Sequence, residues 1–174
     1  MAVKRYRAIA VLVLLLLPLM QLPVAGQGED FKLLSYSYKN SAGGTEVYPG
    51  SRGVELRIEV VYNGSSEAYI SSACLSVPPG FEISRGSSQC SAPYTANASV
   101  QNIVEPGDVI QFIYRVDIGR GVKPGSYGFD ITIYYRVYSG GEWVRLTQTL
   151  SGIAVTVSPY PQLCFTVEDW YWSP

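Results

Sequence analysis

The stretch VELRIEV, at residues 54–60, decides the fold class. Apolar side chains occupy its even positions and charged side chains its odd positions, a period of two that is typical of a β-strand with one face on a core and one face in water. Two longer stretches, 110–118 and 127–137, repeat this alternation, and no segment beyond the N-terminal region sustains the period of an amphipathic helix. The chain is therefore predicted to be all-β. The predicted strands are 31–38, 54–60, 67–77, 97–104, 110–118, 127–137 and 143–157, the last bent or bulged at Gly152.

Four connections share the phrase V-x-P-G, at 47–50, 77–80, 104–107 and 122–125. Proline sets φ near about −65° at the second turn position and glycine supplies a positive φ at the third, so each phrase predicts a type II turn. The phrase SGGE at 139–142 predicts a tight hairpin. About seven antiparallel strands punctuated in this way indicate an immunoglobulin-like antiparallel β-sandwich over residues 27–160.

Residues 1–26 have the pattern of a secretory signal peptide, with three cationic residues, an apolar run and small residues before Gln27. The alternative is an uncleaved anchor, because the apolar run is about long enough to cross a bilayer, although two prolines interrupt it. In either case the remainder is predicted to be secreted, extracellular or at the cell surface. Without the leader, the thirteen Lys and Arg fall to ten against fourteen Asp and Glu, and this net charge of −4 disfavours nucleic acid as a partner.

The chain has three cysteines, Cys74, Cys90 and Cys164. Export to an oxidising compartment predicts a Cys74–Cys90 disulfide, the alternative being two reduced and packed thiols. Cys164 is then left over, and an intermolecular disulfide is one use for it.

The residues that most catalytic sites need are missing from the sequence. There is no histidine, which removes the usual general base and the commonest zinc ligand. No C-x-x-C pair and no glycine-rich phosphate loop occurs, and the adjacent carboxylates at 29–30 and 168–169 would point to opposite faces of a strand. We therefore predict no enzyme activity, no metal and no cofactor.

Two kinds of surface group are candidates for modification or binding. Asn63 and Asn97 each begin an N-glycosylation triplet at a predicted strand end. Trp143, Tyr134 and Tyr138 are aromatic residues that could stack on sugar rings, although packing of sheet on sheet or module on module is the commoner use of such residues.

The C-terminal segment 161–174 repeats the pattern of the first predicted strand. Residues 31–38 and 165–172 align without gaps as F-x-[LV]-x-x-aromatic-x-aromatic, so the tail resembles the opening of a second module. Chance similarity of two aromatic strands is the alternative. A candidate interaction strand follows from the alignment, with side chains Phe165, Val167, Trp170 and Trp172.

These turns and strands carry a resemblance to known families. The V-x-P-G turns, the VEL opening of the strand at 54–60 and the Asn63-Gly64 strand end resemble those of archaeal secreted proteins with S-layer-like domains. They are also similar to the immunoglobulin-like module associated with alpha-galactosidases. The resemblance covers residues 48–157, and it implies a non-catalytic domain of a kind that often occurs in tandem on cell surfaces.

Three functional hypotheses follow. The first is a non-catalytic structural or adhesive module at the cell surface or S-layer, whose partners are other surface proteins or copies of itself. The second is a subunit of an extracellular filament assembled by strand donation. The third is an accessory module that binds glycans. Contact with a membrane is expected only through the N-terminal segment, if that segment is not cleaved.

Overall fold

The computed structural model describes residues 29–95 and 99–161, and all regular structure within them is β-strand. Nowhere in these two ranges does the chain form a helix of the length and apolar character that a membrane crossing requires. The strands are β1 (Phe31–Lys39), β2 (Val54–Tyr62), β3 (Ala68–Ser76), β4 (Phe81–Ile83), β5 (Cys90–Ser91), β6 (Ile103–Val104), β7 (Val109–Ile118), β8 (Gly125–Ser139) and β9 (Glu142–Val157).

Several predictions fall outside the described residues and stay predictions. They are the leader 1–26, the glycosylation candidate Asn97, Cys164, and the interaction strand with Phe165, Val167, Trp170 and Trp172.

The strands form two antiparallel sheets packed face to face. One sheet has the order β1-β2-β7-β4, and the other has the order β5-β3-β8-β9, with β6 also paired to β3. The predicted immunoglobulin-like antiparallel β-sandwich is confirmed. The short strands β4 and β5 were not predicted. Of the strand predicted at 97–104, the described residues 99–104 form β6 and an isolated bridge at Val100.

The alternation that predicted the strands also fills the core. The even positions of β2 are fully buried, and the even positions of the neighbouring β7 are buried beside them on the same face of the sheet. On the opposite sheet the odd positions in the middle of β8, from Phe129 to Tyr135, are buried in the same way. Because fully burying a large apolar side chain contributes about 1.5–3 kcal/mol, these rows stabilise the packing of the two sheets. The buried side chains on β8 are Phe129, Ile131, Ile133 and Tyr135.

Three of the four V-x-P-G phrases form the predicted type II turns. Gly50, Gly80 and Gly107 have φ of 83°, 86° and 96°, and in each turn the amide of the next residue donates to the carbonyl three residues earlier. The fourth prediction is wrong. Gly125 has a φ of 154° and already pairs with Val157 in the ladder of β8 and β9, while the chain reverses earlier, where Val122 N donates to Gly119 O.

The predicted bulge and hairpin in the last two strands are both present. Gly152 has a φ of 92°, and the register of β8 and β9 shifts between Phe129 and Ile131 opposite it. Gly140 and Gly141 both have positive φ and close the hairpin between the two strands. The bulge lets one long strand follow the twist of the sheet.

Side-chain hydrogen bonds join the two sheets. The buried Tyr114 hydroxyl on β7 donates to the carbonyl of Ala73 on β3 at 2.8 Å. The Gln148 side chain on β9 accepts from the amide of Phe31 at 2.7 Å and donates to the carbonyl of the same residue at 2.6 Å. These bonds fix the central strands and the side of the sandwich where β1 meets β9.

The strands β1 and β9 run side by side in the same direction. Phe31, at the start of β1, lies opposite Tyr62 at the end of β2, whereas Val157, at the end of β9, lies opposite Gly125 and forms a parallel bridge with Val47. The described chain therefore enters at one end of the sandwich and leaves at the other.

Candidate functional site

The three predicted stacking residues lie together on the outer face of the sheet that contains β8 and β9. Tyr134 and Tyr138 occupy the solvent-facing positions of β8, and Trp143 lies directly opposite Tyr138 on β9. Their exposed fractions are 42%, 54% and 46% respectively. Tyr134 and Tyr138 therefore have the outward orientation that the alternation predicted. The Tyr138 and Trp143 rings meet edge to face with centroids 5.5 Å apart.

Arg136 stands at the centre of this group. It lies on β8 between the two tyrosines and opposite Tyr69 of β3. Its guanidinium carbon is 4.3 Å from the centroid of the Tyr69 ring and 5.1 Å from that of Trp143. Contacts of this kind stabilise by about 0.5–1 kcal/mol at exposed sites, and they hold the cation in one place on the face.

Arg145 adds a second positive charge beside the first. It lies on β9 directly opposite Arg136, and it is exposed. A shallow groove of about 340 Å³ runs past both arginines and is also lined by Ser71, Tyr134 and Thr147. We call the set Tyr69, Tyr134, Arg136, Tyr138, Trp143 and Arg145 the outer-face patch.

The patch is supported from the neighbouring loop. Asn102 donates from its side-chain nitrogen to the Tyr69 hydroxyl at 3.3 Å, and the main-chain carbonyl of Asn102 accepts from the amide of Ile70 at 2.7 Å. Within the described residues, Nε of Arg136 is buried and has no hydrogen-bond partner. The patch therefore has aromatic rings that are held in place around an arginine whose Nε is shielded from solvent.

Sequence reasoning missed the two arginines and Tyr69. Arg136 shares the outward parity of Tyr134 and Tyr138, so the alternation itself could have indicated it. Tyr69 could not be assigned, because its place beside Arg136 depends on the pairing of β3 with β8.

The predicted disulfide is present. Cys74 on β3 and Cys90 on β5 are bonded and lie directly opposite each other in the ladder. The bond ties the two-residue strand β5 to the sheet, which explains how so short a strand stays in place. Asn63 is exposed in the connection from β2 to β3, where a glycan would project into solvent.

The best-held carboxylates have structural partners. Asp117 accepts from the Ser84 hydroxyl at 2.5 Å and from the amide of Gly53 at 2.8 Å, and these bonds lower the pKa of the Asp117 carboxyl. Hydrogen bonding and charge from Arg57, with a smaller contribution from Arg115, lower the pKa of Glu55. Within 29–95 and 99–161, no three residues of the metal-binding types come together.

The chain is similar to solved structures at low sequence identity. No protein-family model and no curated protein sequence matches it. Among solved structures, a Northeast Structural Genomics Consortium target is similar at 10% identity and a TM-score of 0.42, covering 85% of this chain and 100% of the target. A putative membrane-anchored protein from Corynebacterium diphtheriae is similar at 13% identity and a TM-score of 0.41, over 80% of this chain and 40% of that one. The seventh PapD-like (ASH) domain of human CEP192 has 12% identity and a TM-score of 0.36, with 80% and 94% covered.

Proposed function

We propose that the protein is a non-catalytic adhesive module of the cell surface or S-layer, which binds its partner through the outer-face patch. The observation that carries this proposal is that Tyr138 and Trp143 are both exposed and in contact with each other, beside the exposed Arg145. Exposed aromatic side chains that lie together mark a site of interaction more often than single exposed ones do. The register of β8 and β9 places these side chains, and β3 adds Tyr69 beside them, so the binding surface is already in position.

Placement outside the cytoplasm has two independent supports. The leader pattern of residues 1–26 predicts export. The bond between Cys74 and Cys90 is of a kind that persists in oxidising compartments and is rare where thiols are kept reduced. The leader pattern and the disulfide therefore both support a location outside the cytoplasm.

Fractionation of cells that express the full chain tests this location. We expect the protein in the envelope or extracellular fraction, with Cys74 and Cys90 protected from alkylation until a reductant is added. Recovery in the cytosol with both thiols free to react would overturn the proposal.

Strand donation to a neighbouring copy is the second candidate function. Within residues 29–95 and 99–161, strand β1 forms a ladder with β2 and none with β9, although the Gln148 side chain occupies the main-chain groups of Phe31. The rest of this edge is the place where a further strand could add. In this proposal the tail 161–174 supplies that strand. Deleting the tail should abolish polymers while the sandwich still unfolds cooperatively, and polymers that survive the deletion would reject the idea.

A further inference from the structure

We propose that the ligand of the outer-face patch is an acidic polysaccharide, a chain of sugar rings that carries carboxylate groups. The inference rests on the adhesive function proposed above, and it names the chemistry of the partner.

The positive charge of Arg136 and Arg145 favours an anion as the ligand of the patch. Arg136 and Arg145 face each other across β8 and β9, an arrangement in which like charges destabilise a sheet. Within the part of the chain that the structure describes, no carboxylate lies within 4.0 Å of either guanidinium group. A ligand carboxylate between them would remove the repulsion and match the planar donor fork of arginine.

The surroundings of the patch make this positive charge selective. Without the leader the chain carries ten cationic and fourteen anionic residues, so an anion approaches a protein of net charge −4. Anions are repelled by most of such a surface and attracted only where cations are gathered. The two arginines are therefore a local site and not part of a general basic surface.

The aromatic rings indicate sugar as the scaffold of the anion. Trp143 and Tyr138 are about half exposed and are held edge to face, which leaves apolar ring surface beside the arginines. A sugar ring has an apolar C–H side that covers such a surface, while its hydroxyl groups need a few polar partners. Ser71 and Thr147 supply hydroxyl groups in the groove.

The position of the patch in the sheet disfavours an extended acidic peptide. The patch is centred on β8, which is paired with β3 on one side and β9 on the other. A peptide that adds a strand would have to pair with the outer edge of β9, the last strand of this sheet, where it would lie beside the patch and not over Arg136. Tyr134 and Tyr138 are four residues apart on β8, about 13 Å along the strand, which is a suitable length for a short run of sugar rings.

The test is calorimetric titration of the full exported chain with polygalacturonate, and with the same polymer after methyl esterification. Esterification keeps the rings and removes the charge. We expect the free acid to bind, with a Kd at least about tenfold lower than that of the ester, and to bind more weakly as salt is added.

Variants locate the site. Arg145→Gln should weaken binding of the acid by about tenfold, because a charge-assisted hydrogen bond is lost at an exposed position. The matched control is Arg85→Gln, which removes an exposed arginine in the β4–β5 connection and should leave binding unchanged. Trp143→Ala should weaken both acid and ester, with folding verified by circular dichroism.

Four results would overturn the inference. The first three are a failure of polygalacturonate to bind, the same affinity for the acid and the ester, and the same loss of affinity for the acid in Arg145→Gln and Arg85→Gln. In the fourth, polyglutamate binds as tightly as polygalacturonate, which would assign the patch to acidic polypeptides. Each leaves the cell-surface location standing, because fractionation measures that separately.

Discussion

Removing one hydroxyl group from the centre of the sandwich should destabilise the protein measurably. In Tyr114→Phe the ring stays in the core, where the native residue is 1% exposed, and only the bond to the Ala73 carbonyl is lost. The loss of such a bond leaves a buried acceptor without its cross-sheet donor, so we expect unfolding to become easier by about 1–2 kcal/mol. For a domain of this size, that corresponds to a fall in Tm of about 3–8 °C.

The pH dependence of this effect is also fixed by burial. Desolvation raises the pKa of Tyr114 far above its ordinary value, so the hydroxyl remains a donor wherever the protein is folded. The difference between the wild type and Tyr114→Phe should therefore be the same in mildly acidic and mildly alkaline solution.

Urea unfolding followed by tryptophan fluorescence measures the loss, and Tyr127→Phe is the matched control. The Tyr127 hydroxyl donates to the Lys123 carbonyl at 2.7 Å, but at an exposed site where water can replace it. We expect the control to lose less than about 0.5 kcal/mol. Equal losses in the two variants, or none in Tyr114→Phe, would refute the argument that the cross-sheet bond stabilises the core.

Three further predictions concern stability. Replacing Cys74 and Cys90 together by serine should cost about 3 kcal/mol, because the bond closes a loop of sequence separation 16; an unchanged urea midpoint would contradict this. The lowered pKa of Asp117 means that its carboxylate stabilises the fold above the unfolded pKa of about 4, and that this contribution is lost as pH falls through the lower folded pKa. The free energy of unfolding of the wild type should therefore exceed that of Asp117→Asn by about 1 kcal/mol at neutral pH, and this difference should shrink in acid. Thermal melts across pH measure it, and a difference in stability that does not change with pH would contradict the argument. Gln148→Ala should cost about 1–2 kcal/mol and speed amide exchange in the first residues of β1, and unchanged exchange there would show that the contact with Phe31 is unimportant.

The long strands could be predicted because their signal is local. In β2, β7 and β8, each at least nine residues long, apolar and polar residues alternate in the sequence, and the alternation indicates which side chains are buried. Strands β4 and β5 have three and two residues, too few for any period, and they exist because β7 and β3 offer partners for pairing. Tertiary contacts of this kind cannot be read from a short run of sequence.

The fourth V-x-P-G phrase shows a second limit of local reasoning. Its sequence is as good a type II signal as the other three, yet Gly125 pairs with Val157 and starts β8. The turn that the proline and glycine favour is displaced by a ladder that extends to that residue. Pairing with a long neighbouring strand was the stronger effect.

The candidate site was partly within reach of the sequence. The hairpin closes on the pair Ser139 and Glu142, and counting outward from it places Tyr138 opposite Trp143 and Arg136 opposite Arg145. The sequence-based prediction named the aromatic residues and left out Arg136 and Arg145, although the same count places these two opposite each other. Tyr69, on the third strand of the patch, could not be placed in this way, because β3 and β8 are not joined by a hairpin that would fix their register.

Residues 29 and 161 lie at opposite ends of the sandwich, and this placement determines how the described part of the chain would respond to force. Tension between residue 29 and residue 161 pulls β1 and β9 lengthwise and in opposite directions, along strands that are paired to β2 and β8. In this shear geometry the ladder hydrogen bonds are loaded together, whereas a strand pulled from one side loses them one after another. A sandwich held at these two residues would therefore resist stretching, and the Gln148 contact with Phe31 lies close to residue 29, where the load enters.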